Sequence, residues 1–267
     1  MADAHEIDYE IFGEEMQFVE IELDPQETVV AEAGSFMMMD NGIEMATIFG
    51  DGSTSGGSGL FDKLLGGAKR LVTGESLFMT AYTHFGQGKA KVSFASPYPG
   101  KIIALDLSKY KGKIVCQKDA FLCAAKGVSI GVEFSRKLGR GLFGGEGFIM
   151  QKLEGDGMAF CHAGGHVVEK VLTPGETLRI DTGCLVAYSK GVSYDIEMVP
   201  GIRNKFFGGE GFFFARLQGP GRVWIQTLPF ARLASRVLQN ARTKTGSGKG
   251  EGSVLGQLGN LLDGDGF

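Results

Sequence analysis

Three metal-ligand side chains fall within six residues in Cys161-His162-Ala163-Gly164-Gly165-His166. A thiolate and two neutral imidazoles suit zinc and several other transition metals. No fourth ligand follows nearby, and the segment reads as a turn between two structural units. No metal site is assigned, and Cys161, His162 and His166 are the nearest the sequence comes to one. Gly139-Arg140-Gly141-Leu142-Phe143-Gly144 has the spacing of a dinucleotide-binding loop. That loop works only between a strand and a helix N-terminus, and here a β-rich run, Phe148-Ile149-Met150, follows it. Gly246-Ser247-Gly248-Lys249-Gly250 lacks the hydroxyl residue that a phosphate loop carries after its lysine. Neither a G-x-S-x-G elbow nor an H-E-x-x-H helix occurs.

Three acids remain. Glu75, Glu146 and Glu210 each sit in a G-E-G or G-E-S turn. Cations precede each of them: Lys69 and Arg70; Arg136, Lys137 and Arg140; Arg203 and Lys205. Around a pseudo-threefold axis they would form a circle of carboxylates and bases. Glu75, Glu146, Glu210, Arg140 and Lys205 are thus the candidates for an interface or a small ligand. The simpler role is structural, with glycine setting the turn and glutamate accepting backbone N–H groups. General acid–base catalysis needs a second group in reach, and none is visible. We therefore expect no catalytic residue, no cofactor and no enzymatic activity.

The elements that carry these turns are repeated. Phe143-Gly144-Gly145-Glu146-Gly147-Phe148 recurs as Phe207-Gly208-Gly209-Glu210-Gly211-Phe212, an offset of 64 residues. Over 126–157 and 190–221, 14 of 32 positions are identical without a gap, which marks a duplication rather than chance. A worn third copy lies upstream. Gly74-Glu75-Ser76-Leu77 matches Gly145-Glu146-Gly147-Phe148 at offset 71, and Pro25-Gln26-Glu27-Thr28 matches Pro174-Gly175-Glu176-Thr177 at offset 149. Gly42 to Glu75 spans 33 residues where the later copies span 19, so the first copy carries 14 extra residues, placed at about 50–72.

Within each copy the apolar period is close to two. Gln17–Leu23 and Thr177–Asp181 alternate, Lys101–Leu105 and Arg222–Ile225 are short β-rich runs, and turn signals such as Asn41-Gly42 separate them. This is the pattern of short antiparallel strands in a sandwich or barrel. It also accounts for 43 glycines in 267 residues, about 16% against a usual ~7%. Two segments break the pattern with helical spacing. Gly59–Val72 lies in the insertion, and Phe230–Arg242 carries Arg232, Arg236 and Arg242 opposite Phe230, Leu233 and Val237. A Gly/Ser/Lys linker follows.

Net charge is −4, without the cationic surplus of a nucleic-acid binder, so no nucleic acid is expected. Four cysteines without a C-x-x-C pair read as reduced, mostly buried thiols. A polar, acidic start and no run of about 20 apolar residues point to the cytoplasm.

Taken together, the twice-used F-G-G-E-G-F, its degenerate copy behind a Gly-rich insertion and the common start of each copy resemble one bacterial family. It is the family related to the mitochondrial-biogenesis protein first found through altered inheritance of mitochondria. The likeness covers about 7–240. It implies an all-β fold of three tandem β-sandwich units like the trp RNA-binding attenuation protein, a short double-stranded β-helix with pseudo-threefold arrangement. The units expected are 7–96, 97–163 and 164–229, then a C-terminal amphipathic helix at 230–242 and a flexible tail at 243–267. The resemblance implies a homotrimer, nine units in a ring, and supplies no catalytic residues. The leading function is a non-enzymatic oligomeric scaffold or binding protein. Two others stand beside it. One is a peripheral organiser at an anionic membrane surface, suggested by the basic amphipathic segments and by eukaryotic relatives linked to the mitochondrial inner membrane. The other is a metal-assisted enzyme on a double-stranded β-helix.

Overall fold

The computed structural model describes residues 4–49, 78–136, 148–198 and 213–243. The insertion at 50–72, the Gly-Gly-Glu-Gly turns at 144–147 and 208–211 and the tail beyond 243 lie outside these residues, and with them Glu75, Glu146, Glu210, Arg140 and Lys205. The described chain is mostly β-sheet with one α-helix.

A first strand, β1 (Asp8–Phe12), precedes eighteen that fall into three sets of six. The first set is β2 (Phe18–Leu23), β3 (Thr28–Glu32), β4 (Phe36–Met39), β5 (Ile43–Phe49), β6 (Phe78–His84) and β7 (Ala90–Ala95). The second is β8 (Gly100–Asp106), β9 (Lys113–Gln117), β10 (Phe121–Ala125), β11 (Ser129–Arg136), β12 (Phe148–Glu154) and β13 (Met158–Gly164). The third is β14 (Val167–Leu172), β15 (Thr177–Asp181), β16 (Leu185–Ser189), β17 (Ser193–Met198), β18 (Phe213–Gln218) and β19 (Gly221–Gln226).

The period-two pattern explains the strands individually. In β2, Val19, Ile21 and Leu23 are buried, while Glu20 and Glu22 face outward and pair with Lys91 and Lys89. The turns repeat as faithfully. Gly42, Gly127 and Gly191 precede the fourth strand of each set at φ of 91°, 104° and 105°, a conformation that side-chain-bearing residues rarely adopt.

Each set splits between two sheets. Its first, third and sixth strands enter one sheet, and its second, fourth and fifth enter the next. The sheets run β1-β2-β7-β4, β5-β6-β3-β10-β13-β8, β11-β12-β9-β16-β19-β14 and β15-β18-β17. The two six-stranded sheets are therefore seams between successive sets. At the first seam β3 pairs antiparallel with β10, Ala31 opposite Cys123 and Val30 opposite Ala124. At the second β9 pairs antiparallel with β16, Cys116 opposite Ala187 and Val115 opposite Tyr188.

Three apolar clusters fill the spaces. Val19, Ile21, Tyr82, Phe94 and Phe160 belong to the first. Leu105, Ile114, Phe121, Leu153 and Trp224 belong to the second, and Phe148, Met150, Leu185, Leu217 and Val223 to the third. Each such side chain contributes about 1.5–3 kcal/mol by leaving water.

The described residues up to 231 belong to one compact unit and 232–243 to another. The α-helix α1 (Phe230–Thr243) carries almost all its length in the second. It has no acid in its first turn, and Val237 and Leu238 are 61% and 58% exposed. No helix among the described residues is long and apolar enough to cross a membrane.

Candidate functional site

The repetition leaves two strands without the neighbour their counterparts have. β4 is paired only with β7, and β15 only with β18. The counterparts of β4 are β10 and β16. All three carry a bulge at the same place, between Phe36 and Met38, Phe121 and Cys123, and Leu185 and Ala187. Every residue of β10 and β16 is buried. In β4, Phe36, Met37, Met38 and Met39 are 39%, 47%, 45% and 38% exposed.

The counterparts of β15 are β3 and β9, whose central residues are buried. In β15 the same positions are half-buried or exposed. It carries Leu178 and Ile180, with Arg179 donating from Nε to Glu197 at 2.7 Å. The molecule thus presents one sticky apolar edge and one mixed edge, built on the positions that join inside the chain.

The second seam also holds a pocket of about 300 Å³ lined by Lys113, Val115, Glu133, Phe134, Tyr188, Ser189, Lys190, Gly191, Val192 and Tyr194. Lys113 Nζ donates to both Glu133 oxygens at 2.8 and 2.9 Å. The Tyr194 ring stacks on Phe134 at 5.1 Å and lies parallel to Tyr188 at 5.8 Å. Burial, and then the Glu133 carboxylate, push the Tyr188 phenol well above its ordinary value.

The metal candidates are separated rather than gathered. Cys161 and His162 lie inside β13, not in a turn as their glycine-rich context suggested. Adjacent strand residues face opposite ways. Cys161 packs in the cluster with Ile114 and Trp224. His162 meets Tyr98 edge-on at 4.4 Å, and His166 is exposed beyond the strand. Burial lowers the His162 pKa to about 4, against a weaker upward pull from the Tyr98 backbone. No group of three His, Cys, Asp or Glu residues placed to hold a metal ion occurs among the described residues. Cys116, Cys123 and Cys161 are buried free thiols.

The sequence reading passed over Glu32. It ends β3, and burial followed by the nearby Asp119 raises its pKa to about 7. Its signal was a lone acid closing the apolar run Thr28-Val29-Val30-Ala31.

A chain of repeated antiparallel strands, two of them lacking the neighbour their counterparts have, defines an all-β protein. The sequence profile described as Mitochondrial biogenesis AIM24 matches residues 9–228, and the chain belongs to that family. It is 32% identical over 225 residues to an uncharacterised protein of Streptococcus pyogenes serotype M6, covering 82% of this chain and 85% of that one. It also resembles the X-ray crystal structure of a Streptococcus pyogenes protein at 25% identity and a TM-score of 0.68, over 88% of this chain and 99% of that one.

Proposed function

We propose that this chain is a non-enzymatic scaffold or binding protein that assembles head to tail, the β15 edge of one copy pairing with the β4 edge of the next. Three units per chain, like those of the trp RNA-binding attenuation protein, then close as a homotrimer of nine units. The observation that carries this reading is the exposed Phe36–Met39 edge, set against two buried counterparts. An apolar edge strand without charges is an open template for another strand. One surface meeting a different one also favours ring closure over a two-fold pair.

The seams inside the chain supply a register. Cys116 opposite Ala187 translates to Ile180 opposite Met38 of a second copy, and Val115 opposite Tyr188 to Arg179 opposite Met39. Light scattering at micromolar concentration should give three times 28.5 kDa. The Ile180→Cys/Met38→Cys protein should form disulfide-linked oligomers on oxidation, and neither single variant should form the full ladder. A mass of one chain overturns the assembly. A trimer without the cross-link overturns the edge assignment alone.

A second reading rests on α1. Val237 and Leu238 are exposed beside Arg232 and Arg236, and basic residues near an anionic surface add about 1 kcal/mol each. Vesicles with anionic lipid should then bind the full chain and release a protein ending at Pro229. Equal binding by both removes the helix as the anchor.

A further inference from the structure

The two seams inside the chain share a plan that extends to the latches at their ends. At the second seam the pairing of β9 with β16 stops at Cys116 and Ala187, and Gln117 is the next residue. Its Nε2 donates to the Thr182 carbonyl at 2.9 Å. Thr182 opens the short 3-10 turn Thr182–Cys184 that leads into β16. Gln226 reaches the same turn from β19. Its Nε2 donates to the Gly183 carbonyl at 2.8 Å, and its Oε1 accepts from the Gly164 N–H at 2.8 Å. Two neutral amides therefore hold this turn, and neither titrates.

At the first seam the pairing of β3 with β10 stops at Ala31 and Cys123, and the next residue is Glu32. Glu32 stands opposite Met79 as Gln117 stands opposite Met150, so the two share one position of the plan. The turn Lys118–Ala120 leads into β10 as Thr182–Cys184 leads into β16, 64 residues earlier. His162 takes the place of Gln226 at the same offset, but neither of its buried ring nitrogens has a hydrogen-bond partner, so it does not hold the turn. Glu32 is left in position to do so. Lys118 and Asp119 of the turn act on its carboxyl, and the Cys116 thiol of β9 feels it in return. From β6 comes the apolar Met79, and beyond Asp119 lies Tyr98, edge-on to His162.

We propose that the first seam is closed by a proton-operated latch, in which the protonated Glu32 carboxyl donates to the Lys118 carbonyl where Gln117 donates to Thr182, and that the seam loosens when this proton leaves. A neutral carboxyl carries one O–H donor and so replaces an amide. A carboxylate has acceptors only, and sets its oxygens against the carbonyl. Burial, and then Asp119, hold the proton on Glu32 up to about pH 7, against the opposing pull of Lys118. The latch is closed in mildly acidic solution and opens as pH rises through neutrality. The second seam, with an amide at both positions, has no such response. Both seams lie within one chain, so this proposal does not depend on the assembly above.

The test is hydrogen–deuterium exchange of the full-length protein at about pH 6 and about pH 8.5, corrected for intrinsic exchange rates. Glu32 titrates near 7 with the seam closed and at its ordinary 4.5 with the seam open, so local opening at residues 118–125 should be about tenfold greater at the higher pH. Residues 182–189, the same stretch of the second seam, should not change. Glu32→Gln supplies the amide that Gln117 has and should abolish the difference. A second readout needs no variant: infrared spectra of protein carrying isotope-labelled glutamate should show a protonated-carboxyl band at pH 6 that is gone at 8.5. Equal changes at the two seams overturn the proposal, as does no change at the first. So does a difference that survives Glu32→Gln, or the lack of a protonated carboxyl at pH 6.

Discussion

Replacing Met38 with lysine attacks the open β4 edge at its centre. In the single chain Met38 is 45% exposed, so a lysine there keeps its head in water and costs under about 1 kcal/mol of folding stability. In a head-to-tail assembly the same position becomes the counterpart of Cys123 and Ala187, both fully buried. Covering the exposed share of a methionine, on the order of 90 Å², is worth about 2 kcal/mol, and the lysine forfeits it. Burying its ammonium without a partner adds several kcal/mol more. Each interface is thus weakened by roughly 5 kcal/mol, or three to four orders of magnitude in dissociation constant. Met38→Lys should therefore run as a 28.5 kDa species in light scattering at micromolar concentration, with a melting temperature and β-type circular dichroism like those of the isolated chain. Val171→Lys is the control: Val171 is 61% exposed on β14, beside Glu169 and Lys170, and its change should leave the mass alone. An unchanged oligomer in Met38→Lys would refute the edge argument, as would equal dissociation by both variants.

Three further outcomes follow from buried groups. The unfolded chain protonates His162 near its ordinary value, while the folded one resists until about pH 4, so stability is full above about 6.5 and falls by about 3 kcal/mol as pH drops to 4; His162→Gln should flatten that part of a urea-midpoint profile. Glu32 has the opposite sign: its folded pKa near 7 means the native state holds the proton longer, so stability falls as pH rises from about 4.5 to 7, and Glu32→Gln should remove that slope, whereas an unchanged slope would show that Glu32 is well solvated. Gly100→Ala would drive a Cβ into the Ala163 carbonyl oxygen and the His162 ring, and should lower stability by about 3 kcal/mol or more in denaturant titrations, while a neutral effect would mean that β8 and β13 can separate locally.

The strands were legible because their signal is local. Alternation in Gln17–Leu23 and Thr177–Asp181, and glycines at fixed offsets, needed no knowledge of what lay opposite. The helix at Phe230 was legible for the same reason, and the structure extends it to Thr243. What failed was the placement of Cys161 and His162. Glycines after them suggested a turn, but β13 runs through Gly164, and strand alternation sends the two side chains to opposite faces. The seam pocket was illegible because its walls come from β9, β11, β16 and β17, residues up to 81 positions apart, from Lys113 to Tyr194. The acids of the G-E-G and G-E-S turns lie outside the described residues.

The edges themselves explain why a duplicated chain kept one strand so unlike its copies. Outer edges here are guarded: β14 carries Glu169 and Lys170, and Glu169 pairs with Arg222. Such charges discourage a second strand from docking. β4 has no such guard, and its Phe36-Met37-Met38-Met39 puts four large apolar residues where β10 and β16 have Phe121-Leu122-Cys123-Ala124 and Leu185-Val186-Ala187-Tyr188. Inside the chain the partner strand is tethered and always present, so small residues such as Ala187 and Cys123 suffice. A partner arriving from solution must also offset lost translational and rotational freedom, which requires more buried apolar area per strand. In the proposed pairing, methionine would supply that area with a flexible side chain able to adapt to Ile180 and Arg179 of the next copy. The enlargement of β4 relative to its copies is thus what the proposed intermolecular seam would demand and an intramolecular one does not.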